Sequence, residues 1–265
     1  MGGSARGAAA QEFGKGLGST AERRQSSGTL LCVDFSHDVM SSPSVRRVLD
    51  NPRPAWRGRM HRWMIPVAVL SGIVLVVAAD GGLARFSAVV FGLANLGLYA
   101  ISATAHHRVW SPERLHFLFR LDQSMIMVFI AACTAPIALV AVGGSSGWVL
   151  FLGMVFGMTL GLTTIWLPFH PPRGFTNAVF LTLAWWPIIF FLPLQRGLGG
   201  GGLALLLGGA GLYTVGAFVV GSQRPNPNPH VFGYHEIWHV FVIVANVVHY
   251  VLFWLIVTGQ APINL

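Results

Sequence analysis

From residue 63 onward, the chain alternates long apolar runs with short breaks rich in Gly, Pro, Ser and Arg. Seven runs stand out, at 63–79, 83–105, 117–142, 148–167, 175–194, 202–221 and 231–257. Each reaches the roughly 17 residues that a helix needs to cross the hydrocarbon core of a bilayer. The breaks at 143–147, 170–174, 196–201 and 224–229 have loop chemistry. Gly153, Gly157 and Gly161 recur at every fourth position in the fourth run, which permits close helix packing. The pattern predicts an all-α integral membrane fold: a bundle of seven transmembrane helices over 63–265.

Upstream the pattern changes. Residues 1–50 are rich in Gly, Ser and Ala, show no sustained periodicity, and are expected to form a disordered basic tail. They contain no apolar core of a cleavable signal peptide. Residues 51–62 hold two prolines, four arginines, Trp56 and His61 and are expected to lie at the interface, with Trp56 and the arginines at headgroup level.

Composition supports the membrane reading. Hydrophobic residues make up 54% and charged residues 10% of the chain, against about 25% charged in an ordinary soluble domain. After residue 62 the only acids are Asp80, Glu113, Asp122 and Glu236. A net charge of +8 could indicate nucleic acid, but ten of the 17 Lys and Arg residues precede residue 63. No aromatic–basic interleaving accompanies them, so no nucleic-acid partner is expected; anionic lipid is the fitting partner. With the N-terminus in the cytoplasm, inside segments carry fifteen basic residues and outside segments two, Arg85 and Arg196. Seven crossings then put the C-terminus outside. Cys32 in the tail and Cys133 in a run predict no structural disulfide.

The candidate chemistry is in the last run. His235-Glu236-Ile237-Trp238-His239 is an H-E-x-x-H pattern, and two histidines four apart on a helix share a face. In soluble zincins this pattern supplies two zinc ligands and a general base. Topology adds partners. His106 ends the second run at the cytoplasmic side, and Asp122 lies about two turns into the third run, in the same leaflet as the histidine pair. Ser102 is one turn before His106. Three histidines with an open fourth position make the catalytic type of zinc site, and Asp122 can hold the water or orient a ligand. Intramembrane ionisable groups are functional candidates by default.

Other residues have plainer readings. His107 and His116 are expected to reach the interface, and His249 to be a hydrogen-bonded core residue. Met125, Met127, Trp185 and Trp186 are expected in the core or the aromatic belt. Glu236 is about 100° around the helix from His235.

These residues resemble a known family. Phe232 to His239, with His249-Tyr250 beyond, resembles the last span of the hemolysin III family, in the progestin and adipoQ receptor (PAQR) superfamily. Ser102-x-x-x-His106 resembles its S-x3-H motif, and Arg120-Leu121-Asp122-Gln123-Ser124 its R-L-D-H-S stretch, with Gln123 in place of His. Pro52-Arg53 through Gly58 and His61 resembles its pre-span P-R-x-x-G-x-x-H element. The resemblance covers residues 51–265. It implies seven helices, a cytoplasmic N-terminus, and a zinc ion near the cytoplasmic face held by His106, His235 and His239. It also implies that Asp122 contacts the metal through water, with Ser102 beside it. Glu236 occupies a position that is Gln in receptor members, so the resemblance gives it no catalytic role.

The expected function is a zinc-dependent hydrolase of a lipid amide or ester in the plasma membrane. Zinc would acidify a bound water, Asp122 would take the proton, and Ser102 or the metal would stabilise the oxyanion. A lipid-homeostasis regulator or receptor with structural zinc, and a haemolysin or pore, are the alternatives. An intramembrane protease fits poorly: the one Asp-Gly pair, Asp80-Gly81, is expected on the opposite side. Substrate and oligomeric state stay open.

Overall fold

The structure, a computed structural model, describes residues 43–50, 52–167 and 174–263. The expectations for residues 1–42, Cys32 included, and for much of the loop at 170–174 lie outside the described residues. Eight α-helices are present among the described residues: α1 (Pro43–Asp50), α2 (Arg59–Ala78), α3 (Gly82–His107), α4 (Pro112–Ala135), α5 (Gly144–Trp166), α6 (Phe175–Trp185), α7 (Phe191–Ser222) and α8 (Tyr234–Val257). A π-helical turn, Pro136–Val142, continues α4, and a 3-10 turn, Trp186–Phe190, joins α6 to α7.

Among the described residues, six segments are long and apolar enough to cross a membrane: Arg59–Ala78, Gly82–His107, Pro112–Val142, Gly144–Trp166, Phe175–Ser222 and Tyr234–Val257. Burial is inverted relative to a soluble protein. Leu70, Val77, Leu93, Phe156 and Phe218 point outward and are exposed, whereas Asn95, His106, Glu236, His239 and Asn246 are buried. Outward apolar side chains on this scale need a lipid solvent. α2 packs on α3, α3 on α4, and α8 on α7, α2 and α3. The core between them centres on Phe91, Met127, Leu194, Leu252 and Phe253.

Local sequence explains several boundaries. Ser111 caps α4, with its Oγ accepting from the Arg114 amide at 3.5 Å, and Pro112 opens the helix where no amide donor is required. Pro136 lacks that donor inside the same span, and the backbone widens there into the π turn. Gly147 and Gly197 face this turn so closely that a Cβ on either would strike the backbone of Ala138 or Ala141. The fourth-run glycines are also packing sites: a Cβ at Gly157 would come within 2.7 Å of Leu183, and one at Gly161 within 2.7 Å of Met127. Trp185 and Trp186 are exposed, with Trp185 donating to Thr214 Oγ1 at 3.0 Å, while Met127 is fully buried.

The fifth and sixth apolar runs lie in one 48-residue segment, Phe175–Ser222. Its helical path breaks at Gly199, which has φ 70° and ψ 178°. Ile263 bridges this break: its amide donates to Leu198 O at 2.7 Å, and its carbonyl accepts from the Gly201 amide at 2.9 Å.

Upstream of the first span, Pro43–Asp50 forms α1, inside the stretch expected to be disordered. Val45 explains it, being buried in a small cluster with Ala105, Leu115 and Phe119.

Candidate metal centre

His106 is the penultimate residue of α3, where the chain turns extended at Arg108. His235 and His239 are in the first two turns of α8. The three side chains converge, and one nitrogen from each lies within 4.8 Å of the others. His106 Nε2 is 3.3 Å from His235 Nε2. Asp122 Oδ2, from the third turn of α4, is 3.3 Å from the same His106 nitrogen. His106 and His239 are buried, whereas His235 is half-buried and the Asp122 side chain is 17% exposed.

The donor set fits a metal. Ligands at about 2.0 Å from a tetrahedral zinc lie about 3.3 Å from one another, the spacing of the two Nε2 atoms. Thus His106, His235 and His239 have the chemistry and spacing to hold an ion of this size, with Asp122 beside it.

Two neighbouring segments fix these helices. Arg53 donates a hydrogen bond to the backbone carbonyl of His106, one of the carbonyls that a helix end leaves open. Gly58, at φ 75°, lies so close that a Cβ there would come within 2.9 Å of the His106 carbonyl carbon. Arg57 Nε donates to Glu236 Oε1 at 2.7 Å, and Glu236 Oε2 accepts from the Gly233 amide at 2.9 Å. Backbone bonds from Ala55 to His230 O and from Trp56 to Val231 O extend the seam. The pre-span stretch therefore straps the ends of both histidine-bearing helices.

This corrects one expectation. Arg57 is turned to a protein partner instead of outward to headgroups; its side chain is 15% exposed and faces a carboxylate with no exposure at all. A buried carboxylate requires such a partner. Glu236 is occupied in helix capping and pairing, not aimed as a base.

His61 is the residue that the chemical reading of the sequence passes over. Its ring stacks on that of His239, with centroids 3.8 Å apart and planes 16° apart. It is buried, and among the described residues neither ring nitrogen has a hydrogen-bond partner. Only the resemblance of the pre-span element points to it.

The cluster opens into a cavity of about 1340 Å³. Ser102, buried one turn before His106, lines it together with His61 and Asp122. Away from the cluster the walls are largely apolar, with Ile126, Phe129, Ile137, Leu194, Leu206 and Val242. His249, further along α8, is held by Leu206 O at 3.1 Å and is not part of the cluster.

Residues 49–250 match the haemolysin-III related family. The chain is 32% identical over 177 residues to hemolysin-3 of Bacillus cereus, covering 64% of this chain and 76% of that protein. It is 31% identical over 175 residues to a hemolysin-3 homolog of Bacillus subtilis, covering 64% and 78%. It is also 26% identical over 203 residues to the monocyte to macrophage differentiation factor of Homo sapiens, covering 73% and 80%.

Proposed function

Starting from the fact that the chain belongs to the haemolysin-III related family, within the PAQR superfamily, we propose that it is a zinc-dependent hydrolase of a lipid amide or ester. The observation that carries this reading is the position of the histidine–aspartate cluster on the wall of a largely apolar cavity of about 1340 Å³. Such a cavity suits a hydrocarbon chain, and the cluster suits the polar group at its end.

His106, His235 and His239 would hold the ion. When bound, it supplies a Lewis acid and makes water a stronger acid at neutral pH. Asp122 is the proton acceptor, since its carboxylate is beside the cluster. Ser102, one turn from His106, is the hydroxyl donor to the developing oxyanion. His61 keeps the His239 ring in place by stacking on it. Glu236 takes no proton, because both of its oxygens are committed elsewhere.

The protein crosses the plasma membrane seven times in this reading, with its N-terminus in the cytoplasm. A continuous helix of 48 residues would be about 72 Å long, more than twice a bilayer core of about 30 Å. The break at Gly199 supports two crossings in that segment. The arginine distribution then puts the cluster near the cytoplasmic face.

The test is metal analysis of the purified protein, with lipid turnover measured on ceramide-like amides and acyl esters. Asp122→Asn is expected to keep the metal and lose turnover. A zinc-replete protein with no turnover on any of these lipids would refute the hydrolase. Normal cellular function in Asp122→Asn, with unfolding in the histidine variants, would favour a structural ion instead.

A further inference from the structure

The cavity carries a concentration of arginine where it meets the histidine cluster. Arg46, Arg53, Arg57, Arg108 and Arg120 all line it, and they come from α1, the pre-span strap, the end of α3 and α4. The carboxylates on the lining are Asp50 and Asp122. Even with Glu236, which pairs with Arg57, the wall keeps two more positive charges than negative ones.

Two of these arginines are open to a ligand. Arg53 and Arg108 both have exposed side chains on the cavity lining. Among the described residues no carboxylate comes within 4.0 Å of either guanidinium. Arg53 gives one hydrogen to the carbonyl of His106, and a guanidinium has five to give. Partial burial, and then the nearby charge of Arg57, weigh against the charge of Arg53. Arg108 is two residues beyond His106, with its guanidinium carbon 4.0 Å from the centroid of the Trp110 ring.

Such an excess of positive charge favours an anion, and the planar fork of arginine matches the oxygens of a phosphate. A neutral headgroup leaves the excess unmet, and an ammonium headgroup is repelled. The apolar walls away from the cluster suit a hydrocarbon chain. One molecule that carries both groups satisfies both regions.

We propose that Arg53 and Arg108 bind a phosphate on the headgroup of the lipid whose chain occupies the cavity. The proposal rests on the lipid-binding reading of the cavity. It narrows the substrate class to phosphorylated acyl lipids, with the amide or ester between the phosphate and the chain.

A short-chain N-acyl sphingosine and its 1-phosphate are titrated against the purified full chain, supplied with zinc, in a neutral detergent. The phosphorylated lipid is expected to bind about tenfold more tightly, the gain of one charge-assisted hydrogen bond. Arg108→Gln should remove most of this preference at unchanged zinc content. Arg53→Gln should do the same, and Arg108 carries the test if loss of the His106 contact unsettles that variant. Arg62, exposed and outside the lining, is the control, and Arg62→Gln should keep the preference. Equal affinities in the wild-type protein would overturn the subsite. So would a preference that survives both Arg53→Gln and Arg108→Gln, which would put the phosphate elsewhere, on the metal ion included. A loss in Arg62→Gln as large as in Arg108→Gln would overturn it too, as diffuse surface attraction. Inorganic phosphate binding as tightly as the phosphorylated lipid would make the ligand a free anion and overturn the headgroup assignment. A clear preference in a protein that turns over neither lipid would keep the subsite and remove only the hydrolase, and turnover without preference would do the reverse.

Discussion

Arg57 and Glu236, 179 residues apart in the chain, meet at 2.7 Å between Nε and Oε1. The carboxylate is fully enclosed, and its second oxygen caps the helix that carries His235 and His239. The acid of the H-E-x-x-H pattern thus fastens the last helix to the stretch that precedes the first span.

Removing the arginine should be costly. Arg57→Ala strands a buried carboxylate, and the expected loss of stability is about 3 kcal/mol. Adding Glu236→Leu should recover much of it, because both charges are then gone. Unfolding in detergent, followed by circular dichroism, measures both. A single-variant loss below about 1 kcal/mol would show that water reaches the pair.

Gly58→Ala strains the strap at a different point. The residue is at φ 75°, and the new Cβ would press on His106 within 2.9 Å. A destabilisation of about 1–3 kcal/mol is expected, with weaker zinc retention because His106 is displaced. Equilibrium dialysis against a zinc buffer reads the second effect.

Chelation should lower the melting temperature of the wild-type protein, since an ion bound only to the folded state stabilises it by mass action. The same chelator should have no effect on His235→Ala, which lacks one of the three nitrogens. Equal shifts in the two proteins would place the metal elsewhere.

Asn246 holds a smaller network in the core. Its amide donates to Asn95 Oδ1 at 2.6 Å and to Tyr99 Oη at 2.8 Å. Asn246→Ala leaves both acceptors unmet and should cost about 1 kcal/mol. Tyr99 packs edge-on against His61 with centroids 5.1 Å apart, but the variant removes none of the three histidines, so zinc content should stay normal.

Seven crossings predict opposite sides for the two ends. A reporter that fluoresces only in the cytoplasm should be active at the N-terminus and silent at the C-terminus. Activity at both ends would mean an even number of crossings.

The convergence of the three histidines is legible in the sequence, because hydropathy marks the spans and the arginines set their direction. Those two signals give His106, Asp122, His235 and His239 one depth, and depth leaves few partners to choose from. The strap is not legible in the same way. Arg57 stands among four arginines near a membrane entry, and nothing local distinguishes a headgroup contact from a partner 179 residues away. His61 is hidden for a related reason: beside Arg59 and Arg62 it reads as interfacial, and only packing turns its ring onto His239. The π turn at Pro136–Val142 lies inside an unbroken apolar run, where hydropathy carries no trace of helical pitch. The helical path ends at Gly199, within the glycine-rich break at 196–201 that the sequence already marks.

His106 and His235 are 129 residues apart, and this sets an order of events during synthesis. His106 enters the membrane early, while the helix bearing its two partners is made more than a hundred residues later. Until then the three-histidine cluster is incomplete. The growing chain therefore enters the membrane without the complete cluster, and a message truncated before Tyr234 would lack two of its three histidines.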